Sequence, residues 1–191
     1  MIKHRVNTIA ELEATSTELG VEVDVRYEGE RLILHHDPFV KGEDFEAYLA
    51  KYRHKFIILN IKSEGIEKKA IELVEKHGIT NYFLLDVTLP FIYKLTNEGF
   101  KKLAVRFSEY EPIQSAIVFA GKAEWLFIDC PKDMPITRLA YKKIDGKFKT
   151  CLVSPELWGN QKKIFSFRKK LEKNGIKLDA VLTKLPETWV E

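Results

Sequence analysis

The chain alternates short apolar runs rich in β-branched residues with longer segments of helical periodicity, from its first residues to its last. Apolar runs of roughly four to eight residues between turn residues are typical of buried strands, whereas apolar residues recurring every three or four positions are typical of amphipathic helices. The pattern predicts eight strands, which are Ile2–Val6, Val21–Tyr27, Phe56–Lys62, Tyr82–Asp86, Lys102–Ser108, Trp125–Cys130, Lys149–Ser154 and Ala180–Lys184.

Helices are predicted in most of the intervals between these strands. They are Thr8–Leu19, Glu43–Tyr52, Gly65–His77, Pro90–Gly99, Pro112–Ala120 and Gln161–Asn174, while Pro135–Gly146 is predicted to hold at most a turn or two. Eight strands in alternation with helices indicate an α/β fold, namely a (β/α)8 TIM barrel. Such barrels rarely have fewer than about 200 residues, so a barrel of 191 residues has to be compact with short loops. A doubly wound open sheet is the main alternative. The absence of a Gly-rich phosphate loop after the first strand weakens it.

The composition is typical of a single folded domain and does not indicate a binding partner. A length of 191 residues suits one domain, spanning residues 1–191. Hydrophobic residues form 45% of the chain, and 31 Lys and Arg against 28 Asp and Glu leave a net charge of +3. These values exclude a disordered chain and favour no nucleic acid polymer as partner.

Two further features bear on the compartment. No apolar run approaches the roughly 18 residues of a membrane span, and no apolar signal segment opens the chain, so we expect a cytoplasmic protein. The cysteines, Cys130 and Cys151, lie in apolar strand-like runs, which favours reduced buried thiols over a disulfide.

Polar residues gather at the carboxyl ends of the predicted strands, where barrel enzymes carry their chemistry. Because side chains alternate along a strand, Glu22 and Asp24 share one face, as do Asn60 and Lys62. Two carboxylates inside a barrel need cations beside them, either a metal ion or Arg and Lys. The ends of the later strands supply further residues that we predict to recognise substrate: Arg106, Glu156, Trp158 and Lys184.

The histidines differ in their predicted roles. His35 and His36 are adjacent on a strand-like run, Leu32–Asp37, so alternation predicts that they face opposite sides and cannot both enter one site. His54 lies in a polar connection and His77 near the end of a helix, where an imidazole interacts well with the helix dipole. We interpret both as structural.

The order of the polar motifs in the first 60 residues resembles the glycerophosphodiester phosphodiesterase family, a (β/α)8 barrel family related to phosphatidylinositol-specific phospholipase C. The matching segments are His4-Arg5, Asn7-Thr8 at a helix start, Glu22-Val23-Asp24, a hairpin turn at Glu28-Gly29-Glu30, and His36-Asp37-Pro38. In the remainder of the chain the resemblance is mainly in the spacing of the predicted strands.

The resemblance implies a role for each matching residue. His4 and His36 correspond to a general acid/base pair, Arg5 to a phosphate clamp and Lys62 to a phosphate-facing cation. Glu22 and Asp24 correspond to metal ligands, and Asn60 completes an all-oxygen set. Such a set favours Mg²⁺ or Ca²⁺ over Zn²⁺, which prefers His and Cys.

Three departures from the family pattern affect the expected activity. Val6 stands where the family has Gly, and Asn60 stands where it has a third acidic ligand. Asn60 follows His36 by only 24 residues, so the insertion that covers the glycerol side of the substrate is missing.

These observations predict metal-assisted hydrolysis of a small-molecule phosphodiester, either glycerophosphodiester-like or a sugar or nucleotide phosphodiester. The alternative is a catalytically altered barrel that binds a phosphorylated ligand without cleaving it. An amidohydrolase-like enzyme is a third class, but position 6, where it needs a second His, is Val.

Overall fold

The computed structural model describes residues 1–190, in which two compact units can be distinguished: Ile2–Lys94 and a second that begins at Leu95. The first unit contains the strands β1 (Ile2–Lys3), β2 (Gly20–Glu28), β3 (Arg31–Leu34), β4 (Glu43–Asp44), β5 (Ile57–Ile61) and β6 (Tyr82–Leu85). The organisation of residues 1–191 as a single domain stays a prediction.

The long strand β2 organises the sheet of the first unit. Its start pairs with β1 and its middle with β5, both in parallel, and β5 pairs in parallel with β6. Its end pairs with β3 in an antiparallel hairpin, closed by the predicted turn with Gly29 at φ 61°. A Gly with positive φ at the first turn position suits the twist of a tight hairpin. Parallel pairing places the carboxyl ends of β1, β5 and β6 alongside the first half of β2.

Capping side chains mark where the first two of the four helices near these strands begin. The four helices are α1 (Ile9–Ala14), α2 (Phe45–Lys51), α3 (Glu67–Lys76) and α4 (Leu89–Asn97). Thr8 and Glu11 form a capping box at the start of α1. The predicted helix Thr8–Leu19 is too long, because Thr15 leaves the helical conformation and its hydroxyl donates to the carbonyl of Glu11.

The interval predicted as the helix Glu43–Tyr52 begins differently from the prediction. Glu43 and Asp44 pair with β3 as the short strand β4, and the Asp44 side chain then caps α2 by accepting the N–H of Ala47 at 2.9 Å. An Asp at this position satisfies a backbone donor that the helix leaves without a partner.

The second unit contains four parallel strands that pair in chain order: β7 (Ala104–Phe107), β8 (Trp125–Ile128), β9 (Lys149–Val153) and β10 (Ala180–Thr183). Its helices are α5 (Ile113–Ile117), α6 (Arg138–Ile144) and α7 (Ile164–Lys173). Short 3₁₀ helices cover Pro155–Trp158, Gln161–Lys163 and Pro186–Thr188. The helix α6 has about two turns, as the weak pattern of Pro135–Gly146 predicts.

Each of the eight predicted strands is present, with ends that differ by a few residues. Strand β2 is buried on both faces: Val21, Val23 and Val25 are fully buried, and so are Glu22 and Asp24. Cys130 and Cys151 are buried free thiols, as predicted. Among residues 1–190, no helix is both long and apolar enough to cross a bilayer.

Candidate functional site

Two acidic side chains and an amide meet on neighbouring strands of the first unit. Glu22 and Asp24 are separated by one residue on β2, and Asp24 lies opposite Asn60 on β5 in the parallel register. The two carboxylates are fully buried and Asn60 is nearly so. The structure therefore brings together the three residues that the sequence groups as a candidate metal site.

Both oxygens of Glu22 accept a hydrogen bond. Oε2 accepts the backbone N–H of Arg5 at 2.7 Å, and Oε1 accepts Nδ2 of Asn60 at 2.8 Å. The imidazole Nε2 of His4 lies 3.9 Å from Oε2. Burial, reinforced by the charge of Asp24, raises the pKa of Glu22 to about 7, although the hydrogen bonds from Asn60 and Arg5 and the charge of Lys62 act to lower it. Glu22 can thus gain or lose a proton near neutral pH.

Asp24 is held by an asparagine that the sequence analysis did not single out for this role. The side chain of Asn7 donates to Oδ2 of Asp24 at 2.8 Å and accepts the backbone N–H of Asp24 at 2.8 Å. Asn7 could have been identified from its position, because it closely follows the first strand and belongs to the Asn7-Thr8 segment that resembles a motif of the family.

Two cations flank Asp24. Arg5 Nε lies 3.8 Å from Oδ2, and Lys62 Nζ lies 3.6 Å from Oδ1. Lys62 also donates to Oδ2 of Asp86, which follows β6, at 3.2 Å. The buried negative charge is therefore partly compensated by side chains of the protein, one of the two possibilities that the sequence leaves open.

The backbone is strained at two of these strand ends. Arg5 has a φ of 54° and Asp86 a φ of 58°. Both values lie in the left-handed region, which residues other than Gly rarely adopt. This conformation accompanies the hydrogen bond from the Arg5 N–H to Glu22. Strain of this kind is concentrated at functional sites.

His35 and His36 lie beyond the end of β3, contrary to the predicted strand Leu32–Asp37. The strand ends at Leu34, and the N–H of His35 donates to the carbonyl of Asp24 at 3.0 Å before the chain bends. The argument from strand alternation therefore does not apply to these two residues. Asp37 contacts both rings: its carboxylate accepts Nδ1–H of His36 at 2.7 Å, and its N–H donates to Nδ1 of His35 at 3.0 Å.

Arg26 ties the turn of His36 to the end of β5. Its guanidinium donates to the carbonyl of His36 at 2.7 and 3.0 Å and to the carbonyl of Lys62 at 3.1 Å. Sequence reasoning missed Arg26, although it has the same strand parity as Glu22 and Asp24 and could have been found on that ground.

Metal-binding capacity can be judged from the oxygens of this group. Asp24 Oδ1 and Asn60 Oδ1 are buried and accept no hydrogen bond within the described residues. Across residues 1–190 no group of three or more His, Cys, Asp or Glu side chains is arranged to hold a metal ion, so an ion here has to draw on the amide oxygen of Asn60. Two open oxygens with Glu22 alongside fit a hard divalent cation that takes its other ligands from water and phosphate.

At the strand ends of the second unit, Arg106, Asp129 and Trp158 form a connected group. Oδ1 of the buried Asp129 accepts the indole N–H of Trp158 at 2.7 Å and the N–H of Cys130 at 2.8 Å. Arg106 makes ion pairs with Oδ2 of Asp129 and with Glu111. The Trp158 side chain stays 49% exposed with its N–H fixed.

Glu156 and Lys184 belong to a second group in that unit. Glu156 accepts hydrogen bonds from the hydroxyls of Ser154 and Thr183 and from the N–H of Lys184. The role of Arg106, Glu156, Trp158 and Lys184 in substrate recognition stays a prediction.

The remaining histidines make contacts away from these groups. Nε2–H of His54 donates to the carbonyl of Thr15 at 3.0 Å, and His77 lies 4.0 Å from a carboxylate oxygen of Glu46. Burial lowers the pKa of His54. Both contacts agree with the structural roles proposed for these residues.

The fold is that of a (β/α)8 barrel, as its likeness to solved structures shows. A glycerophosphodiester phosphodiesterase from Agrobacterium tumefaciens superposes with a TM-score of 0.70 and 13% identity, over 98% of this chain and 98% of that one. A glycerophosphoryl diester phosphodiesterase from Parabacteroides distasonis gives 0.67 and 13%, over 98% of this chain and 84% of that one. The predicted fold class is confirmed, and so is the resemblance to these proteins at the level of the fold. No protein-family model and no curated protein matches the chain.

Proposed function

We propose that the protein is a metal-assisted phosphodiester hydrolase. The observation that carries the proposal is the group of buried Glu22 and Asp24 on β2 with Asn60 on β5, flanked by Arg5 and Lys62. The likeness of the fold to solved glycerophosphodiester phosphodiesterases supports it. Hydrolysis of a phosphodiester needs positive charge at the non-bridging oxygens, a proton acceptor and a proton donor.

Arg5 and Lys62 supply the positive charge. Their side chains lie on either side of the Asp24 carboxylate, and both are partly exposed. A phosphate that approaches this edge of the sheet meets a guanidinium, which favours paired hydrogen bonds to oxygens, and an ammonium, which acts as a point charge. Asp24 and Asp86 hold Lys62 in place.

His36 and His4 are the proposed acid/base pair. Since Nδ1–H of His36 donates to Asp37, its Nε2 carries a lone pair in the neutral ring and a proton in the charged ring. His36 can therefore take a proton from the nucleophile or give one to the leaving group at the same atom. His4, whose Nε2 lies 3.9 Å from Oε2 of Glu22, is the proposed partner of His36 in proton transfer.

A divalent cation, Mg²⁺ or Ca²⁺, is the proposed cofactor, with Glu22, Asp24 and Asn60 as its protein ligands. When bound, such an ion polarises a phosphoryl oxygen and stabilises the charge that develops on it. Calorimetric titration should detect either ion, and Glu22→Gln should weaken the binding. Equal binding by the variant, or none by the wild type, removes the metal from the proposal.

The activity is best tested on an activated diester, bis(4-nitrophenyl) phosphate, because its cleavage does not depend on recognition of a natural leaving group. We expect cleavage that needs the divalent ion and has a bell-shaped pH profile. His36→Ala should lower the rate by about 10²–10⁴-fold. The neighbouring His35→Ala is the matched control, since His35 contacts the backbone of Asp37, and it should mainly affect stability.

A broad panel of diesters with Mg²⁺, Ca²⁺ and Mn²⁺ decides between this proposal and the alternative. If the wild type and His36→Ala are equally inactive on all of them, a barrel that binds a phosphorylated ligand without cleaving it becomes the better interpretation. The panel also compares glycerophosphodiesters with sugar and nucleotide phosphodiesters. A location in the cytoplasm stays a prediction.

A further inference from the structure

The turn after β3 presents large apolar side chains to solvent. Phe39 is 105% exposed relative to a reference side chain, and Val40 next to it is exposed as well. Tyr27, on the part of β2 that pairs with β3, is 59% exposed. Apolar side chains that are grouped at the surface, rather than scattered singly, mark a place where another apolar group binds.

The conformation of Phe39 is costly for the turn itself. Phe39 follows Pro38 and has a φ of 60°. A turn with Pro at its second position and positive φ at the third is one in which Gly or Asn normally occupies the third. A bulky residue is strained there, and the exposed ring of Phe39 gains no burial in return. The needs of the turn therefore do not explain the choice of Phe.

A groove of about 640 Å³ lies between this turn and β2. Its lining includes Arg26, Tyr27, Phe39, Val40, Lys41 and Ser63. The volume is within the range of small-molecule sites. Arg26, which donates to the carbonyls of His36 and Lys62, forms part of the wall, and Ser63 directly follows Lys62. The groove thus adjoins the residues proposed to act on phosphate.

We infer that this groove holds the alkyl or acyl chain of a single-chain amphiphilic phosphodiester. The inference rests on the proposed function and names its substrate class. The lining residues and their neighbours indicate the occupant: the exposed Phe39, Val40 and Tyr27 suit an apolar chain. Ser63, which also lines the groove, directly follows Lys62, one of the cations proposed to bind phosphate. An amphiphilic phosphodiester places these two chemistries in one molecule.

Binding can be measured without cleavage by titrating the full-length protein with alkylphosphocholines below their micellar concentrations. Affinity should rise roughly fourfold for each added methylene from hexyl to decyl, as full burial of apolar surface predicts. Phe39→Gly should lower the affinity for decylphosphocholine at least tenfold and leave that for phosphocholine unchanged. Because Gly relieves the positive φ, this variant should be at least as resistant to thermal unfolding as the wild type.

Phe165→Ala is the matched control, since Phe165 is an exposed Phe of α7 outside the groove. It should leave the affinity for decylphosphocholine unchanged. Affinity that does not depend on chain length, or that survives Phe39→Gly, overturns the inference. So does binding to micelles or vesicles alone, which indicates a membrane surface, or a wild-type dimer that Phe39→Gly makes monomeric, which indicates a second copy of the chain.

The two proposals can fail separately. If the wild type cleaves bis(4-nitrophenyl) phosphate but binds hexyl- and decylphosphocholine alike, the groove inference is wrong and the proposed activity stands. If the chain-length series and Phe39→Gly behave as expected but no diester is cleaved, the groove holds an amphiphile and the proposed hydrolysis is wrong.

Discussion

Two groups of polar strand ends, one in each unit, differ in how their buried oxygens are satisfied. In the second unit, every carboxylate oxygen of Asp129 and Glu156 accepts at least one hydrogen bond from the protein. In the first, Asp24 Oδ1 and Asn60 Oδ1 accept none among the described residues. A buried oxygen without a hydrogen bond costs free energy, and a bound ligand is one way to supply the missing contact.

The difference indicates that the buried carboxylates of the two units have different roles. The carboxylates of the second unit hold side chains in place, as Asp129 does with Trp158 and Arg106. Those of the first unit combine open oxygens with nearby cations and with strained backbone at Arg5 and Asp86. The comparison therefore predicts that substitutions in the first group change activity more than stability, and that those in the second do the reverse.

The largest effect is expected from exchanging one carboxylate in each group for its amide. Asp24→Asn should lower the cleavage of bis(4-nitrophenyl) phosphate by at least about 100-fold, since it removes a charged ligand of the proposed metal site. Its free energy of unfolding should change little, because Lys62 keeps Asp86 as a partner.

Asp129→Asn should instead destabilise the protein by about 1–3 kcal/mol, because a donor then faces Arg106 in a buried position. Its turnover number should be unchanged. Rates and denaturant unfolding curves of the two variants check the contrast. A large loss of turnover in Asp129→Asn without destabilisation breaks the comparison and favours the substrate-binding role predicted for Arg106.

The next largest effect is the change with pH in the free energy of unfolding that results from the titration of Glu22. Its pKa of about 7 in the folded protein is above the ordinary value of 4.5, so the folded state keeps a proton that the unfolded state loses. The free energy of unfolding should therefore fall as pH rises from about 4.5 to about 7, by on the order of 3 kcal/mol. Denaturant titrations in the presence of a chelator should show this fall in the wild type relative to Glu22→Gln. Parallel pH profiles of the two proteins contradict it.

A smaller effect is expected from Trp158→Phe. The substitution keeps a ring at this position but removes the N–H that donates to Asp129, whose Oδ1 retains the N–H of Cys130. A loss of about 1 kcal/mol in the free energy of unfolding is expected. Trp189→Phe, which removes the N–H that Trp189 donates to Ser154, is a matched substitution. If Trp158→Phe raises KM for natural diesters while Trp189→Phe does not, Trp158 contacts substrate.

The smallest effect concerns His54. Burial lowers its pKa, so the folded protein binds this proton less tightly than the unfolded chain does. The stability that the neutral ring contributes is present above the ordinary pKa of 6.5 and decreases as pH falls below it. The wild type should therefore lose stability relative to His54→Gln on going from pH 7 to pH 5. An unchanged difference between the two proteins shows that His54 does not titrate in this range.

The alternation of apolar and polar residues was sufficient to predict the strands, the barrel class and the pairing of Glu22 with Asp24, since strand period alone places them on one face. Helix ends were less predictable. The end of α1 depends on the hydroxyl of Thr15, and the start of α2 depends on the pairing of Glu43 and Asp44 with β3. Such competition between local hydrogen bonds and sheet pairing leaves no periodic signal.

The details of the site came only from the tertiary structure. The interaction of Asn7 with Asp24 joins residues 17 positions apart, and that of Arg26 with the carbonyl of Lys62 joins residues 36 apart. The raised pKa of Glu22 depends on the depth of its burial, which residue order does not express. The sequence thus determined which residue types reach the strand ends. Folding decided which of their oxygens stay open, because that depends on partners brought together from distant parts of the chain.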